Sequence, residues 1–331
     1  MGDDGGGSMA GRMVSVVVPL YDEEAVVGSL LDRLAAVADE SPDPYEFVFV
    51  DDGSQDGTFA ALSAGVRRFR RWQLLRLSRN FGQQGAFVAG MSVAAGDAII
   101  CMDGDLQDPP EVIPRLVEAW RGGARVVIAQ RRHRAERGWR RLAFAAFHRL
   151  FHRLSGGLMP MDSGTFGLVD REVAAHLLRL SERAYFFPGL RCWVGFPQAV
   201  VGYERAARAG GRPKQGFGRL MNYAWDALTS FSDAPLRLIT GAGFALSALG
   251  CLYALGLVAI RVCQFFGGFK SVEVLGFTTV AVAVFTLAGV QLFCLGVVGQ
   301  YLAKVYVEVK RRPLYIVESA QASEARGTQG T

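Results

Sequence analysis

Residues 98–110 read AIICMDGDLQDPP, a short apolar run that ends in a cluster of carboxylates. The run at 98–102 is predicted as a buried β-strand, and Asp103 and Asp105 follow it directly. A solvated turn is one interpretation, because Asp, Gly and Pro all favour turns. In an extended segment, however, residues i and i+2 point to the same side, so the two carboxylates would repel each other unless a cation intervenes. The stretch therefore predicts either a turn or a cation site at the end of a strand.

Outward from this stretch, β-type runs alternate with helical patterns along the first 130 residues. Strands are predicted at 13–20, 47–50, 73–77, 98–102 and 124–129, and helices at 22–38, 59–69, 86–95 and 111–121. This alternation predicts a doubly wound α/β domain with a mostly parallel, Rossmann-like sheet. Ligands bind such sheets at the carboxyl ends of the strands, and both acidic segments, DDGSQDGT (51–58) and DGD (103–105), fall there.

The ends of the first two predicted strands indicate a nucleotide pocket. The ring of Tyr21 can lie near a flat base, and Asp51 and Asp52 can accept hydrogen bonds from a base or a ribose. These turns contain neither GxGxxG nor GxxxxGK[ST], which disfavours a dinucleotide fingerprint and a P-loop. The oxygen ligands of DGD suit Mg²⁺ or Mn²⁺ bound to a diphosphate, with Gln107 as an additional amide ligand. Asp108 is interpreted as a helix cap before the prolines.

Two long uncharged stretches dominate the C-terminal third of the chain. Residues 238–260 and 274–303 are each long enough to cross a hydrocarbon core of about 30 Å, with two buried helices of a soluble protein as the alternative. Basic residues flank the pair on its outer sides, so both termini and the N-terminal domain are predicted to be cytoplasmic. The predicted organisation is a disordered tail (1–12), a cytosolic domain (13–235), a two-helix transmembrane hairpin (236–303) and a cytosolic C-terminal tail (304–331), in a multi-pass protein of the cell membrane.

Two further stretches, at 138–154 and 219–231, carry apolar and basic residues at helical spacing. Each is predicted either to pack on the sheet or to lie on the bilayer surface as an amphipathic interface helix. The net charge of +5 is concentrated near these stretches, and beside membrane segments it favours lipid phosphate as a partner. Nucleic acid is not a predicted partner, because the chain has no recognised binding module. Small residues in the first span would permit the helix packing of a homo-oligomer: Gly241, Gly243, Gly250 and Gly256.

Four motifs in this order, VVVPLYDEE (16–24), VDDGSQDGT (50–58), LSRNFGQQGAFVAGM (77–91) and MDGDLQDPPE (102–111), resemble the inverting glycosyltransferases of family 2, which have the GT-A fold. Later stretches extend the resemblance through both predicted spans to the polyprenyl-phosphate glycosyltransferases, the group of dolichyl-phosphate mannose synthase. The similarity covers about residues 13–317. It implies inverting transfer of a sugar from a nucleotide-diphosphate sugar to a polyprenyl phosphate, undecaprenyl or dolichyl, at the cytosolic membrane face.

The resemblance also implies roles for individual residues. Asp105, Asp162 and Arg131 are the candidate catalytic residues, and a structural cap is the alternative for Asp162. The remaining sets are Pro19, Leu20, Tyr21, Glu23, Asp52, Asp103 and Gly104 for the donor nucleotide; Asp103, Asp105 and Gln107 for Mg²⁺ or Mn²⁺; and Arg131, Arg134, Arg140 and Lys214 for the acceptor phosphate.

Two segments depart from the family pattern. Residues 165–168 read TFGL where the family usually has DFRL, so an acidic residue and an arginine are missing. Residues 213–215 read PKQ where SKY is common, which leaves the lysine alone. Both departures bear on the sugar and acceptor contacts.

Two other functions fit parts of the sequence. A processive polysaccharide synthase would share the nucleotide domain, but the chain has no QxxRW motif and only two predicted spans. A non-catalytic, sugar-nucleotide-binding membrane scaffold is the other alternative, and the intact DGD and the arginine cluster argue against it.

Overall fold

The computed structural model describes residues 11–131, 163–180, 186–204, 234–266 and 276–323. The two predicted interface helices, at 138–154 and 219–231, lie outside these residues, as does most of the predicted N-terminal tail. The chain divides into two compact units, Met1–Lys214 with Arg311–Thr331, and Gln215–Lys310.

The first unit begins with the predicted alternation of strands and helices. The β-branched and aromatic runs of the first two strands and the short apolar run of the fourth are buried along their whole length, as expected for strands covered on both faces. Five strands and four helices are confirmed, with ends that differ from the predicted ones by a few residues. In chain order they are β1 (Val14–Leu20), α1 (Glu24–Glu40), β2 (Tyr45–Asp51), α2 (Thr58–Gly65), β3 (Trp72–Leu77), α3 (Gln83–Val93), β4 (Ala98–Cys101), α4 (Ile113–Arg121) and β5 (Val126–Arg131).

Three more strands complete the sheet, and the sequence patterns do not predict them. They are β6 (Ser163–Asp170), β7 (Gln198–Tyr203) and β8 (Val317–Ala322), and α5 (Arg171–Arg179) and α6 (Phe187–Trp193) lie between β6 and β7. The strand order is β7-β5-β6-β4-β1-β2-β3-β8. Only β6 and β8 run antiparallel to their neighbours, so the sheet is mostly parallel and the predicted α/β class is confirmed.

A large apolar core holds the sheet rigid. Helix α1 buries Leu30, Leu31 and Leu34, spaced so that they share one helix face, in the same core as Phe47 and Phe49 of β2. Burial of each such side chain contributes about 1.5–3 kcal/mol. The strand ends are therefore fixed positions from which site residues can project.

One edge of the sheet collects the carboxyl ends of β1, β2, β4 and β5. Because β6 runs in the opposite direction, its amino end reaches the same edge, where Ser163 pairs with Gln130. Arg131, the last residue of β5, pairs with Tyr203, the last residue of β7. The strand topology therefore brings segments distant in the sequence to one edge.

The C-terminal segment belongs to the sheet and is not simply a tail. Beyond the second long helix the chain returns to add β8 along β3, and the Ser78 N–H donates to the Ile316 carbonyl at 2.9 Å. The hydroxyls of Tyr315 and Ser92 lie 3.0 Å apart, which ties the segment to α3. The sequence of β8, VESAQA, is mostly exposed and polar, so it lacks the hydrophobic pattern that predicts a strand.

The second unit contains two long helices, α7 (Ala234–Phe265) and α8 (Gly276–Val309), at the positions of the predicted spans. Within α8, Leu287–Val309 is a 23-residue segment of mean hydropathy 1.4, long and apolar enough to cross a membrane. Large apolar side chains such as Leu292, Phe293 and Leu302 are exposed on this helix. These features indicate membrane association, whereas a second crossing through α7 stays a prediction.

Candidate active site

A cleft of about 280 Å³ opens at the carboxyl edge of the parallel strands. It contains all seven residues predicted for the donor nucleotide together with Asp105. Sequence reasoning misses three further lining residues, Asn80, Gly82 and Gln83, although they lie in the quoted motif RNFGQQG. The described lining consists of Pro19, Leu20, Tyr21, Glu23, Asp52, Asn80, Gly82, Gln83, Asp103, Gly104 and Asp105.

Hydrogen bonds join the segment after β1 to the segment after β2. Asp22 has a left-handed backbone (φ 51°), and its N–H donates to the Ser54 hydroxyl at 3.1 Å. Its carboxylate accepts from the Gln55 N–H at 2.8 Å, and the Glu23 N–H donates to the Thr58 hydroxyl at 2.9 Å. The preceding residue, Tyr21, lines the cleft and is 40% exposed, so it is accessible to a planar ligand.

Asp52 holds the loop that precedes α3. The Phe81 N–H donates to one carboxylate oxygen at 2.8 Å and the Gly82 N–H to the other at 2.9 Å. Burial raises the pKa of Asp52, and these two backbone hydrogen bonds partly oppose the increase. The carboxylate predicted to bind a nucleotide is thus also a structural acceptor that fixes Gly82 and Gln83 in the cleft wall.

Asp103 is held through one of its oxygens. The Gln83 amide donates to Oδ1 at 2.5 Å and the Thr165 hydroxyl donates to the same atom at 2.8 Å. Burial, followed by the neighbouring carboxylates of Asp108 and Asp105, raises the pKa of Asp103 to about 6, although the Thr165 hydrogen bond opposes this. Asp105 accepts from the Gln107 N–H at 3.0 Å.

These carboxylates fit a hard divalent cation shared with a substrate. The described residues contain no group of three or more His, Cys, Asp or Glu that could hold a metal by itself. Asp103 and Asp105 nevertheless lie in one cleft, and their mutual repulsion is what a cation would relieve. Mg²⁺ and Mn²⁺ commonly bind one or two carboxylates and complete their shell with water and phosphate oxygens. Gln107 is not among the described lining residues, so its role as a ligand stays a prediction.

Arg131 lies beside this acidic cluster at the end of β5. Its Nε–H donates to the Tyr203 hydroxyl at 3.1 Å, and that hydroxyl donates to Oδ1 of Asp108 at 2.5 Å. Nη2 of Arg131 lies 3.7 Å from the same Asp108 oxygen. The interpretation of Asp108 as a helix cap is wrong, because the 3-10 turn at Pro110–Val112 has Pro109 at its N-cap and no side-chain capping bond. The carboxylate points instead to Tyr203 and Arg131.

The departure at residues 165–168 has a structural counterpart. Thr165 contributes its hydroxyl to Asp103, and a Cβ at Gly167 would lie 2.6 Å from the Arg191 guanidinium. Arg191 is fully buried and donates to the carbonyls of Gly164 at 2.7 Å, and of Thr165 and Phe166 at 3.2 Å each. The space beside Gly167 is therefore filled by an arginine from α6.

Four predicted site residues are not placed by the structure. Asp162, Arg134, Arg140 and Lys214 lie outside the described residues. Their assignments stay predictions.

Comparison with known proteins identifies the family. Residues 15–178 match the model of Glycosyl transferase family 2. The chain is 37% identical to the uncharacterized glycosyltransferase YkcC of Bacillus subtilis, over 94% of both chains. It is 36% identical to the SfII prophage-derived bactoprenol glucosyl transferase of Shigella flexneri, over 93% of this chain and 98% of the relative.

A solved structure of glucosyl-3-phosphoglycerate synthase from Mycobacterium tuberculosis, in complex with Mn²⁺, UDP-glucose and phosphoglyceric acid, is also similar. Its TM-score is 0.46 at 22% identity, over 67% of this chain and 80% of the other. The relatives that match over nearly their full length, rather than this likeness, show the family. The predicted resemblance is confirmed: the chain is a glycosyltransferase and belongs to glycosyltransferase family 2.

Proposed function

We propose that this glycosyltransferase moves a sugar from a nucleotide-diphosphate sugar to a polyprenyl phosphate at the cytosolic membrane face, with inversion at the anomeric carbon. The observation that carries the proposal is the single cleft in which the predicted donor residues meet Asp103 and Asp105. The bactoprenol glucosyl transferase relatives support a polyprenyl acceptor, and the apolar segment of α8 supports work at a membrane.

The donor would lie along the edge formed by β1, β2 and β4. Tyr21 offers a ring to the base, and Glu23 and Asp52 offer carboxylate oxygens to the base or the ribose. The diphosphate would then lie next to Asp103 and Asp105, which would hold Mg²⁺ or Mn²⁺, with Gln107 as a further ligand. That ion, when bound, neutralises the charge that develops on the leaving diphosphate.

The acceptor side needs positive charge more than it needs a base. The second pKa of a phosphate monoester is about 6, so at neutral pH the acceptor is mostly ionised and already nucleophilic. Arg131 supplies a guanidinium next to the acidic cluster and would offset the repulsion between acceptor and donor phosphates. Arg134, Arg140 and Lys214 are proposed to add charge on the same side, and Asp162 either positions the reacting groups or caps local structure. In-line attack by the acceptor oxygen would invert the anomeric centre.

The same proposal includes the topology and the partners predicted from the sequence. A two-helix transmembrane hairpin at 236–303 would tether a cytosolic catalytic domain at 13–235, with both termini cytoplasmic. Basic residues that flank the hairpin on its outer sides support this orientation. Anionic lipid at the surface and a homo-oligomer packed through the glycines of α7 complete the set of proposed partners.

A donor screen tests the function. Purified protein is incubated with undecaprenyl phosphate, Mg²⁺ or Mn²⁺, and each of a panel of UDP- and GDP-sugars, and the lipid fraction is analysed by mass spectrometry. One or a few donors should yield a monoglycosyl undecaprenyl phosphate. Release of free sugar into the aqueous phase without a glycosylated lipid, or synthesis of a polysaccharide, would contradict the proposal.

A further inference from the structure

Three side chains from different parts of the chain form a continuous hydrogen-bonded array beside the cleft. Arg131 and Tyr203 are register partners at the ends of the parallel strands β5 and β7. The Arg131 Nε–H donates to the Tyr203 hydroxyl at 3.1 Å, and that hydroxyl donates to Oδ1 of Asp108 at 2.5 Å. The Tyr203 hydroxyl thus accepts one hydrogen bond and donates another, and the two together fix its orientation.

The inner two members of this array are rigid. Tyr203 is 3% exposed and Asp108 is fully buried, so neither side chain can turn toward solvent. The Tyr203 ring also packs edge-to-face on Phe166, with ring centroids 5.5 Å apart. Aromatic pairs in this geometry are favourable beyond their buried area, so the hydroxyl position is well defined.

The outer member lies close to the acidic residues of the cleft. A Cβ at Gly164 would lie 3.0 Å from Nη2 of Arg131, so the guanidinium lies against the beginning of β6. The next residue along β6, Thr165, donates to Asp103. Two adjacent residues of β6, Gly164 and Thr165, therefore contact Arg131 and Asp103, respectively.

An arginine left free in this surrounding would have two disadvantages. Its long side chain samples many rotamers, and ordering it would reduce the affinity for any bound phosphate. It would also be free to turn from Asp108 onto Asp103 or Asp105, the carboxylates proposed to hold the metal. The hydrogen bond at Nε and the 3.7 Å ion pair between Nη2 and Asp108 together restrain the side chain. The guanidinium carries five N–H groups, so it has further donors with which to bind a phosphate.

We infer that Tyr203 and Asp108 are positioning residues that hold the Arg131 guanidinium ready for the phosphate of the lipid acceptor. The acceptor part of this inference rests on the function proposed above. The positioning part concerns the free enzyme alone.

The variant Tyr203→Phe removes the hydroxyl and keeps the ring. We expect the KM for undecaprenyl phosphate to rise about tenfold, while the KM for the nucleotide sugar changes by less than about twofold, because the lost bond involves a charged group on the acceptor side. Tyr45→Phe, at a buried tyrosine near the amino end of β2, is the matched control and should leave both constants unchanged. Equal acceptor KM values for the two variants would overturn the acceptor role.

Hydrogen exchange of the Arg131 Nε–H tests the positioning without any sugar transfer. The signal is followed by NMR in protein labelled with ¹⁵N-arginine and is assigned with Arg131→Lys. Exchange should accelerate at least about tenfold in Tyr203→Phe and in Asp108→Ala, and should stay at the wild-type rate in Tyr45→Phe. Unchanged exchange in Tyr203→Phe would overturn the positioning role. A wild-type enzyme that exchanges slowly yet transfers no sugar to undecaprenyl phosphate would contradict the proposed function and still support the positioning.

Discussion

DDG at residues 51–53 and DGD at residues 103–105 follow parallel strands at the same edge of the sheet, and each contains two aspartates and a glycine. In DDG, backbone N–H groups donate to both carboxylate oxygens of Asp52. Asp51 is fully buried. The Ser54 N–H lies 3.3 Å from one of its carboxylate oxygens, and the Arg76 guanidinium lies 3.5 Å from the other. In DGD, both hydrogen bonds described for Asp103 fall on a single oxygen, and they come from side chains.

The difference shows two ways in which a fold can tolerate clustered carboxylates. In DDG, both oxygens of Asp52 and one oxygen of Asp51 accept from backbone N–H groups, while the other Asp51 oxygen faces Arg76 at 3.5 Å without a hydrogen bond. Its aspartates therefore act mainly as structural acceptors that shape the cleft. DGD keeps acceptor capacity in the cleft, and burial, followed by the neighbouring carboxylates of Asp108 and Asp105, raises the pKa of Asp103 to about 6. A cation would lower that electrostatic cost, and this is why we propose the metal site at DGD and not at DDG.

The largest effect is expected when DGD loses the carboxylate of Asp105. Asp105→Ala should reduce Mg²⁺- or Mn²⁺-dependent transfer by about 1,000-fold, because charge on the leaving diphosphate would no longer be offset. The melting temperature should stay close to the wild-type value. Asp39→Ala, at an exposed site on α1, is the control and should keep full activity. Undiminished turnover in Asp105→Ala would contradict the proposal that DGD, unlike DDG, binds a metal ion.

The glycine of DDG tests the structural side of the comparison. Gly53 has φ 70°, and a Cβ there would lie 2.5 Å from the carbonyl carbon of Arg79. Gly53→Ala should therefore lower the free energy of unfolding by about 2–3 kcal/mol, measured by urea denaturation in detergent. Gly28→Ala in α1, where a Cβ meets no atom within 4 Å, should be neutral or stabilising by up to about 1 kcal/mol. Similar losses for both variants would show that the close approach at Gly53 is unimportant.

A smaller effect is expected from loosening DGD without removing a carboxylate. Thr165→Val deletes the hydroxyl that donates to Asp103 and keeps the side-chain volume. Loss of such an orienting partner should weaken Mn²⁺ activation by about tenfold, measured as the concentration for half-maximal activity. Thr240→Val in α7, whose hydroxyl donates to a helix carbonyl, is the control. An unaltered Mn²⁺ requirement in Thr165→Val would mean that the hydrogen bond does not orient Asp103.

The smallest effect concerns the pH dependence of DDG. Burial raises the pKa of Asp52 above its unfolded value of about 3.9, so the folded state binds this proton more tightly than the unfolded state. The stability contributed by this group is then complete below about pH 4 and is lost as the pH rises through the folded-state pKa. The wild type should lose stability relative to Asp52→Asn between pH 4 and pH 7, and urea unfolding at several pH values measures this. If the free energy of unfolding of the wild type minus that of Asp52→Asn stayed constant or increased with pH, the assignment of Asp52 as a buried acceptor would be contradicted.

The patterns that were strong in the sequence are the ones that the structure confirms. The five predicted strands are mostly apolar segments, and two of them, at 47–50 and 98–102, lead directly into the acidic motifs DDG and DGD. Strands β7 and β8 gave no such signal, because β7 is only partly buried and β8 is a polar edge strand. Most of the cleft was predictable because parallel strands bring their carboxyl ends together. Gln83 and Tyr203 were not, since their importance depends on partners 20 and 95 residues away in the chain.

The amino-acid sequence by itself determined the alternating α/β order, the position of both acidic motifs at strand ends and the family of the enzyme, because hydrophobic periodicity and short motifs are local properties. Only the tertiary structure decided which carboxylate oxygens accept hydrogen bonds from backbone N–H groups. It also decided that Asp108 contacts Tyr203 and Arg131, and that the segment after α8 forms the edge strand next to β3. Those outcomes depend on burial and on hydrogen bonds between distant residues, and neither is visible until the chain has folded.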